Sequence, residues 1–202
     1  MDGKSNKMVS TPFGSNGYVQ GEIRSINIDY RIDIDNRIIT LTGEVEEYVL
    51  EDITTKTNII QSYSKRKDLD KPITWQLNSF GGDVYEMFAL MEYIRLSPVK
   101  INTLVLGKAM SAAAMILVAG TGTRTASKYS SIMFHESSGF NYGKISDQEA
   151  GLMHTKKLES WVCDLLGERT HKDAAWWKTK QKTDMFLTPQ EALELGAIDV
   201  II

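Results

Sequence analysis

Hydrophobic and polar positions switch between two periods along this chain, and the switches lay out its elements. Arg37 to Leu41, ahead of Thr42-Gly43-Glu44, reads as a first strand, and Val45 to Ser64, where apolar, acidic and polar positions mix, as a helix. The charged loop Lys65 to Lys71 leads into a strand, Ile73-Thr74-Trp75-Gln76-Leu77, and then a turn, Asn78-Ser79-Phe80-Gly81-Gly82. Val84, Met87, Phe88, Met91 and Ile94 follow at the spacing of one buried helical face. Asp83 and Glu86 are placed to form a capping box at its start, and Ser97-Pro98 stops it. Val99 to Leu106 is a largely apolar strand, Ala112 to Ala119 a helix, Arg124 to Ala126 a short strand and Ser131 to His135 another. Strand, helix, strand, helix, strand predicts parallel α/β units joined by right-handed crossovers.

The last third is mostly helical. Ser146-Asp147-Gln148-Glu149 has the capping-box pattern and starts a long helix with apolar positions at Leu158, Trp161, Val162, Leu165 and Leu166. A second helix is expected near Ala174 to Lys180, and a third begins at Thr188-Pro189-Gln190-Glu191, with Pro at N1 and Glu at N3. Gly196 ends it, ahead of a final strand over Ile198 to Ile202. The long helix has no evident place in a compact α/β core and suits packing on a second subunit. Residues 1–22 are polar and rich in Gly, Ser and Asn, the composition of a flexible arm, a propeptide or an axial loop; residues 23–202 form a single domain.

The composition narrows the function classes. The chain has 202 residues, 42% of them hydrophobic and 24% charged, enough for one domain with a full core. A net charge of −3 gives no basic surface for nucleic acid or an acidic membrane. No run approaches the roughly 18 apolar residues of a membrane span. One cysteine, Cys163, cannot form an internal disulfide, so a reducing, cytoplasmic compartment is expected (or an organelle stroma or matrix, or a host cytoplasm), and its neighbours Val162 and Leu165 place it in a core. No histidine or cysteine cluster has metal-ligand spacing, and neither GxxxxGK[ST] nor GxGxxG occurs, so no cofactor is expected in this chain.

The chemistry concentrates at one turn. Gly107-Lys108-Ala109-Met110-Ser111 joins an apolar strand to a helix, where a serine hydroxyl is exposed beside the free N–H groups of the helix start. A nucleophile and an oxyanion hole can be built there together, although an N-cap explains the same serine. Ser111 needs a base. His154 and His171 lie among charged helical neighbours and read as surface histidines, whereas His135 ends the apolar strand Ile132-Met133-Phe134. Strand ends of parallel sheets face the ligand crevice, so Ser111 and His135 are expected to meet at one edge. A carboxylate should orient the imidazole, and Asp184, Asp83, Asp147 and Asp199 all stand as candidates, with cap roles available to Asp83 and Asp147. The diglycine Gly81-Gly82 lets backbone N–H groups approach a ligand closely.

Together, Asn78-Ser79-Phe80-Gly81-Gly82, Ser111 after Gly107-Lys108-Ala109-Met110, Met133-Phe134-His135 and Asp184-Met185-Phe186-Leu187-Thr188 resemble the Clp protease proteolytic subunit family, ClpP, in order and spacing. Glu191-Ala192 and Leu195-Gly196-Ala197-Ile198-Asp199 resemble its closing helix and strand, and the likeness runs over about residues 23–202. The resemblance implies an α/β fold with a ClpP/crotonase-like core of stacked ββα units and a protruding helix-strand handle at about 139–169. It implies a serine endopeptidase with Ser111 as nucleophile, His135 as general base and acid, Asp184 as orienting carboxylate, and the N–H groups of Gly82 and Ala112 as oxyanion hole. It further implies heptameric rings stacked in pairs as a tetradecamer. A hexameric AAA+ unfoldase would use the ATP and feed polypeptide substrates into the chamber, with no nucleic acid or membrane as partner. A crotonase-type acyl-CoA enzyme and a non-catalytic ring subunit are the alternatives on the same fold. The chain departs from the family at Phe80, where the family has Pro, at Glu136-Ser137, where it has Gln-Pro, and at Lys182-Thr183, where it has the acid–Arg pair that senses ring–ring contact.

Overall fold

A computed structural model describes residues 15–63, 70–138 and 142–202. Its elements in chain order are α1 (Ser15–Tyr30), β1 (Ile32–Asp33), β2 (Ile38–Val45), α2 (Val49–Tyr63), β3 (Ile73–Gly82), α3 (Val84–Leu96), β4 (Ile101–Met110) and α4 (Ala112–Ala119). They continue with β5 (Arg124–Ala126), β6 (Ser131–Phe134), α5 (Ile145–Arg169), α6 (Ala174–Lys180), β7 (Met185–Leu187), α7 (Pro189–Glu194) and β8 (Val200–Ile201). The fold is α/β with a mostly parallel sheet, ordered β1-β2-β3-β4-β5-β8. Strands β2, β3, β4 and β5 run parallel to one another, as the alternation of strands and helices predicts, and β1 adds to β2 antiparallel at the edge.

Strand β4 is shared. Its first half, Thr103–Val105, pairs with β5, and its last three residues, Lys108–Met110, pair with β6. The apolar run read as ending at Leu106 therefore continues as strand to Met110, and β3 likewise continues through the expected turn to Gly82. Ladder pairing holds these polar and glycine residues extended although their side chains carry no strand signal.

Helix α4 is the centre of the core. All eight of its residues are buried, so it shows no polar face and none is needed. It packs on β3 and β4 from one side and meets α3 and α5 on the other. Its C-terminus is held by Arg169, whose guanidinium donates to the carbonyls of Val118 and Gly120 and complements the negative helix end. Arg124 in turn donates to the Arg169 carbonyl at 2.9 Å and pairs with Asp199 at 2.5 Å. The axis that carries Ser111 at its N-terminal end is thus fixed at the other end.

Four expectations change. Residues 15–22, read as arm, are the first half of α1, which crosses the boundary expected at 22 and 23. It docks through Ile23 and Ile26, and Glu22 accepts from the Tyr63 hydroxyl at 2.7 Å; residues 1–14 lie outside the described residues. The long helix starts at Ile145, one residue before the expected Ser146, and its cap residue Lys144 makes no side-chain cap bond. Nor is α5 foreign to the core: Val162, Cys163 and Leu166 are part of it, while Ile145 and Met153 at the other end stand exposed. The helix of the expected handle is therefore anchored in the core through its C-terminal half, while its N-terminal half contributes no residue to that core. Among the described residues no strand lies between Phe134 and Ile145; residues 139–141 of the expected handle lie outside them. Finally, Asp83 caps α3 by accepting from the N–H groups of Tyr85 and Glu86, but the Asp83 N–H donates to Val45 rather than to Glu86, so the capping box is half formed. The box at Thr188 and Glu191 forms in full.

Candidate active site

Three register positions bring the site together. Met110 is the partner of Met133 in the parallel β4–β6 pair, so Ser111 leaves the sheet beside the end of β6. His135 leaves the same edge directly after Phe134. Phe134 is the partner of Met185 in the antiparallel β6–β7 pair, which sets Asp184 opposite His135. Two ladders therefore place residues at 111, 135 and 184 side by side. The sequence shows the apolar run Met185-Phe186-Leu187, but not that it pairs with β6.

Ser111 occupies the N-cap position of α4 yet makes no side-chain cap bond. Its backbone is at φ 52 and ψ −125, a region that costs a non-glycine residue roughly 1–3 kcal/mol. The Ser111 N–H donates to the Met133 carbonyl at 2.9 Å, and the Ser111 carbonyl accepts from Ala114 and Met115 at 2.9 and 3.2 Å. This strained turn leaves Oγ free to donate to His135 Nε2 at 2.8 Å. The hydroxyl is engaged by the imidazole rather than by the helix.

The second arm is longer. His135 Nδ1 lies 3.7 Å from Asp184 Oδ1, an ion-pair separation and not a hydrogen bond. The Asp184 side chain is 61% exposed and the His135 side chain 25%. The other carboxylates are placed elsewhere: Asp83 caps α3, Asp199 pairs with Arg124, and Asp147 sits in the first turn of α5. Glu136 points to solvent, and its N–H donates to the Gln181 carbonyl at 2.6 Å.

A cavity of about 260 Å³ opens beside Ser111 and His135. Met87, Met115, Phe134 and Val162 make it apolar on one side, and Gly82, Ala112, Ser137 and Gln181 line it with backbone and polar groups. Ala112 is the first residue of α4, so its N–H has no intrahelical acceptor. Gly82 and Ala112 thus border the same space as the serine hydroxyl.

Gly81 explains the diglycine. At φ +100 it lies directly under the serine turn, and a Cβ there would come within 2.6 Å of the Met110 carbonyl and 2.8 Å of both Ala112 N and Ser111 Cβ. Gly81→Ala is expected to lose roughly 2–5 kcal/mol from backbone strain and overpacking together, read as a shift of the denaturant midpoint. Gly21→Ala is the control. Gly21 lies in α1 with nothing within 4 Å of a built Cβ, and the substitution should leave stability unchanged or raise it by up to about 1 kcal/mol.

His154 and His171 are exposed, as expected: His154 Nε2 lies 3.0 Å from the Tyr85 hydroxyl, and His171 Nδ1 donates to the Glu194 carbonyl at 3.0 Å. Cys163 is buried, and burial, with Glu159 and Asp164 nearby, pushes its thiol up to about 11, which makes it a poor nucleophile. Phe80 is 66% exposed beneath the Lys108 ammonium, 4.0 Å from the ring centroid, and Lys182 and Thr183 are exposed in the loop before β7. Sequence reasoning missed Gln181 and Glu159. Gln181 is a buried polar residue whose carbonyl and side chain both hold neighbours of the site, and Glu159 grips Ser137. Nothing in their local sequence marks either one, because their partners come from other elements.

The family model described as Clp protease matches residues 20–202. The chain is 32% identical over 171 residues to ATP-dependent Clp protease proteolytic subunit 1 of Mycolicibacterium paratuberculosis, covering 83% of this chain and 79% of that protein. It is equally similar, at 32%, to proteolytic subunit 2 of Mycobacterium leprae, with 83% and 78% covered. Proteolytic subunit 2 of Mycobacterium bovis matches at 31% over the same share of each chain.

Proposed function

The chain belongs to the Clp protease family, and from that premise we propose that it is a serine endopeptidase whose catalytic residues are Ser111, His135 and Asp184. The observation that carries this reading is the 2.8 Å contact between Ser111 Oγ and His135 Nε2, made by a strained serine that forgoes its helix cap. For Nε2 to accept the hydroxyl proton, the imidazole proton must sit on Nδ1, on the side of Asp184. In the proposed reaction Ser111 Oγ attacks the peptide carbonyl carbon while His135 Nε2 takes its proton. The carbonyl oxygen becomes an oxyanion held by the N–H groups of Gly82 and Ala112. Collapse breaks the C–N bond, His135 gives its proton to the leaving amine, and an acyl ester remains on Ser111. Water then attacks that ester while His135 takes its proton, the C–O bond to Oγ breaks as His135 passes that proton to Oγ, and the serine hydroxyl is regenerated with release of the new carboxylic acid. These steps draw on no cofactor in the chain. An acyl-CoA reading on the same fold gives no role to the Ser111–His135 contact.

The relatives are named as subunits of an ATP-dependent protease, and on that basis the chain acts in the cytoplasm as one member of a heptameric ring, alone or stacked as a tetradecamer. A hexameric AAA+ partner uses ATP to unfold polypeptides and deliver them to the enclosed sites. No helix among the described residues is long and apolar enough to cross a membrane. A fluorophosphonate probe tests the reading. A single adduct on the peptide containing Ser111, with hydrolysis of a short fluorogenic peptide by the same preparation, is the expected result. An unmodified Ser111 in a folded, oligomeric preparation sinks it.

A further inference from the structure

We propose that Glu159, on α5, is a positioning residue for the peptidase site, a role that rests on the catalytic reading above. The carboxylate is half-buried, and its Oε2 accepts two bonds from one residue: the Ser137 N–H at 3.1 Å and the Ser137 hydroxyl at 2.7 Å. Ser137 follows His135 by two positions and lines the cavity beside Ser111. Residues 135–138 belong to no helix or strand, so no ladder holds the base in place once β6 has ended at Phe134. The segment is instead tied at two successive amides. The Glu136 N–H donates to the Gln181 carbonyl at 2.6 Å, and the Ser137 N–H donates to Glu159.

The two ties are joined. Cys163, one turn beyond Glu159 on the same face of α5, donates to Gln181 Oε1 at 3.5 Å, and Gln181 lies three residues before Asp184. Glu159 thus closes a loop of contacts from the base, through α5, to the segment that carries the orienting carboxylate. The pair of bonds to an ionised acceptor is stronger than neutral hydrogen bonds. It sets the wall of the cavity and the direction in which the chain leaves His135.

The experiment compares kcat and KM for a short fluorogenic peptide, with fluorophosphonate labelling of Ser111, in wild type, Glu159→Ala, Glu159→Gln and Ser137→Ala. Glu159→Ala should lower kcat roughly tenfold or more, and the labelling rate with it, with a smaller rise in KM, because two charge-assisted bonds to the segment after the base are lost. Glu159→Gln should recover most of that loss, since its amide oxygen still accepts from Ser137. Ser137→Ala should fall between, having lost the hydroxyl bond and kept the amide one. A merely structural Glu159 would change the melting temperature and leave kcat per labelled site untouched. If Glu159→Ala labels and turns over like a wild type that is itself labelled, this inference fails while the peptidase reading stands. If wild-type Ser111 takes no label, the peptidase reading fails and this one falls with it. Should Glu159→Ala not fold, Ser137→Ala decides: an unchanged kcat overturns the proposal.

Discussion

Ser111→Ala is expected to lower kcat/KM for peptide hydrolysis by roughly 10⁴- to 10⁶-fold and to abolish fluorophosphonate labelling. Among the described residues no other group is placed to take over. Cys163 is buried with its thiol held at about 11, and the Ser137 hydroxyl, though it lines the cavity, donates to Glu159 and not to a base. The same substitution should leave folding almost untouched, within about 0.5 kcal/mol, because Oγ caps nothing in α4. Ser111→Gly sharpens the point. Glycine adopts φ 52 without strain, so that variant should be inactive yet more stable than wild type by about 1 kcal/mol. Activity against a short peptide and a denaturant midpoint on the same preparations check both halves. A loss of more than about 1 kcal/mol in Ser111→Ala with activity retained would return Ser111 to the helix-cap role.

The sequence made some of this arrangement plain for physical reasons that differ from residue to residue. Helix α4 was legible to its ends because eight apolar residues stand between Ser111 and Gly120 with nothing polar to blur them. The capping box at Thr188 was legible because both of its partners lie within four residues. Ser111 and His135 were legible as strand-end residues that could share one edge, but the β4–β6 pairing that sets them side by side, with β4 split between two neighbours, is recorded by no local pattern. Asp184 could be chosen among several aspartates only by family resemblance, since what places it is the antiparallel register of β7 on β6. Helix α1 was hidden by its own composition. Two glycines and many polar side chains read as an arm, and burial of Ile23 with a tyrosine contact from α2 overrides that propensity. The grip of Glu159 on Ser137 spans 22 positions and has no local signal at all.

Asp184→Asn is expected to lower kcat by about 10³-fold while leaving KM within a few-fold of wild type. The size of this loss follows from geometry that the free chain only half displays. At 3.7 Å, with a carboxylate 61% exposed, the pair as it stands is a surface contact, and exposed pairs contribute little. Removing such a contact would slow the reaction less than tenfold. Catalysis asks more of it: the imidazolium that forms when His135 takes the serine proton needs the negative charge close by and its Nδ1 proton directed at an acceptor. Hydrogen bonds of this kind are often long in a free enzyme and tighten when substrate is bound. The asparagine keeps the size of the side chain and removes the charge, and its amide can present a donor where Nδ1–H needs an acceptor, favouring the wrong tautomer for attack by Ser111. The measurement is the pair of kinetic constants for Asp184→Asn beside Asp184→Ala, with native mass recorded to hold the assembly constant. A loss below tenfold in both means that the 3.7 Å arm never closes and that Ser111 works with His135 alone.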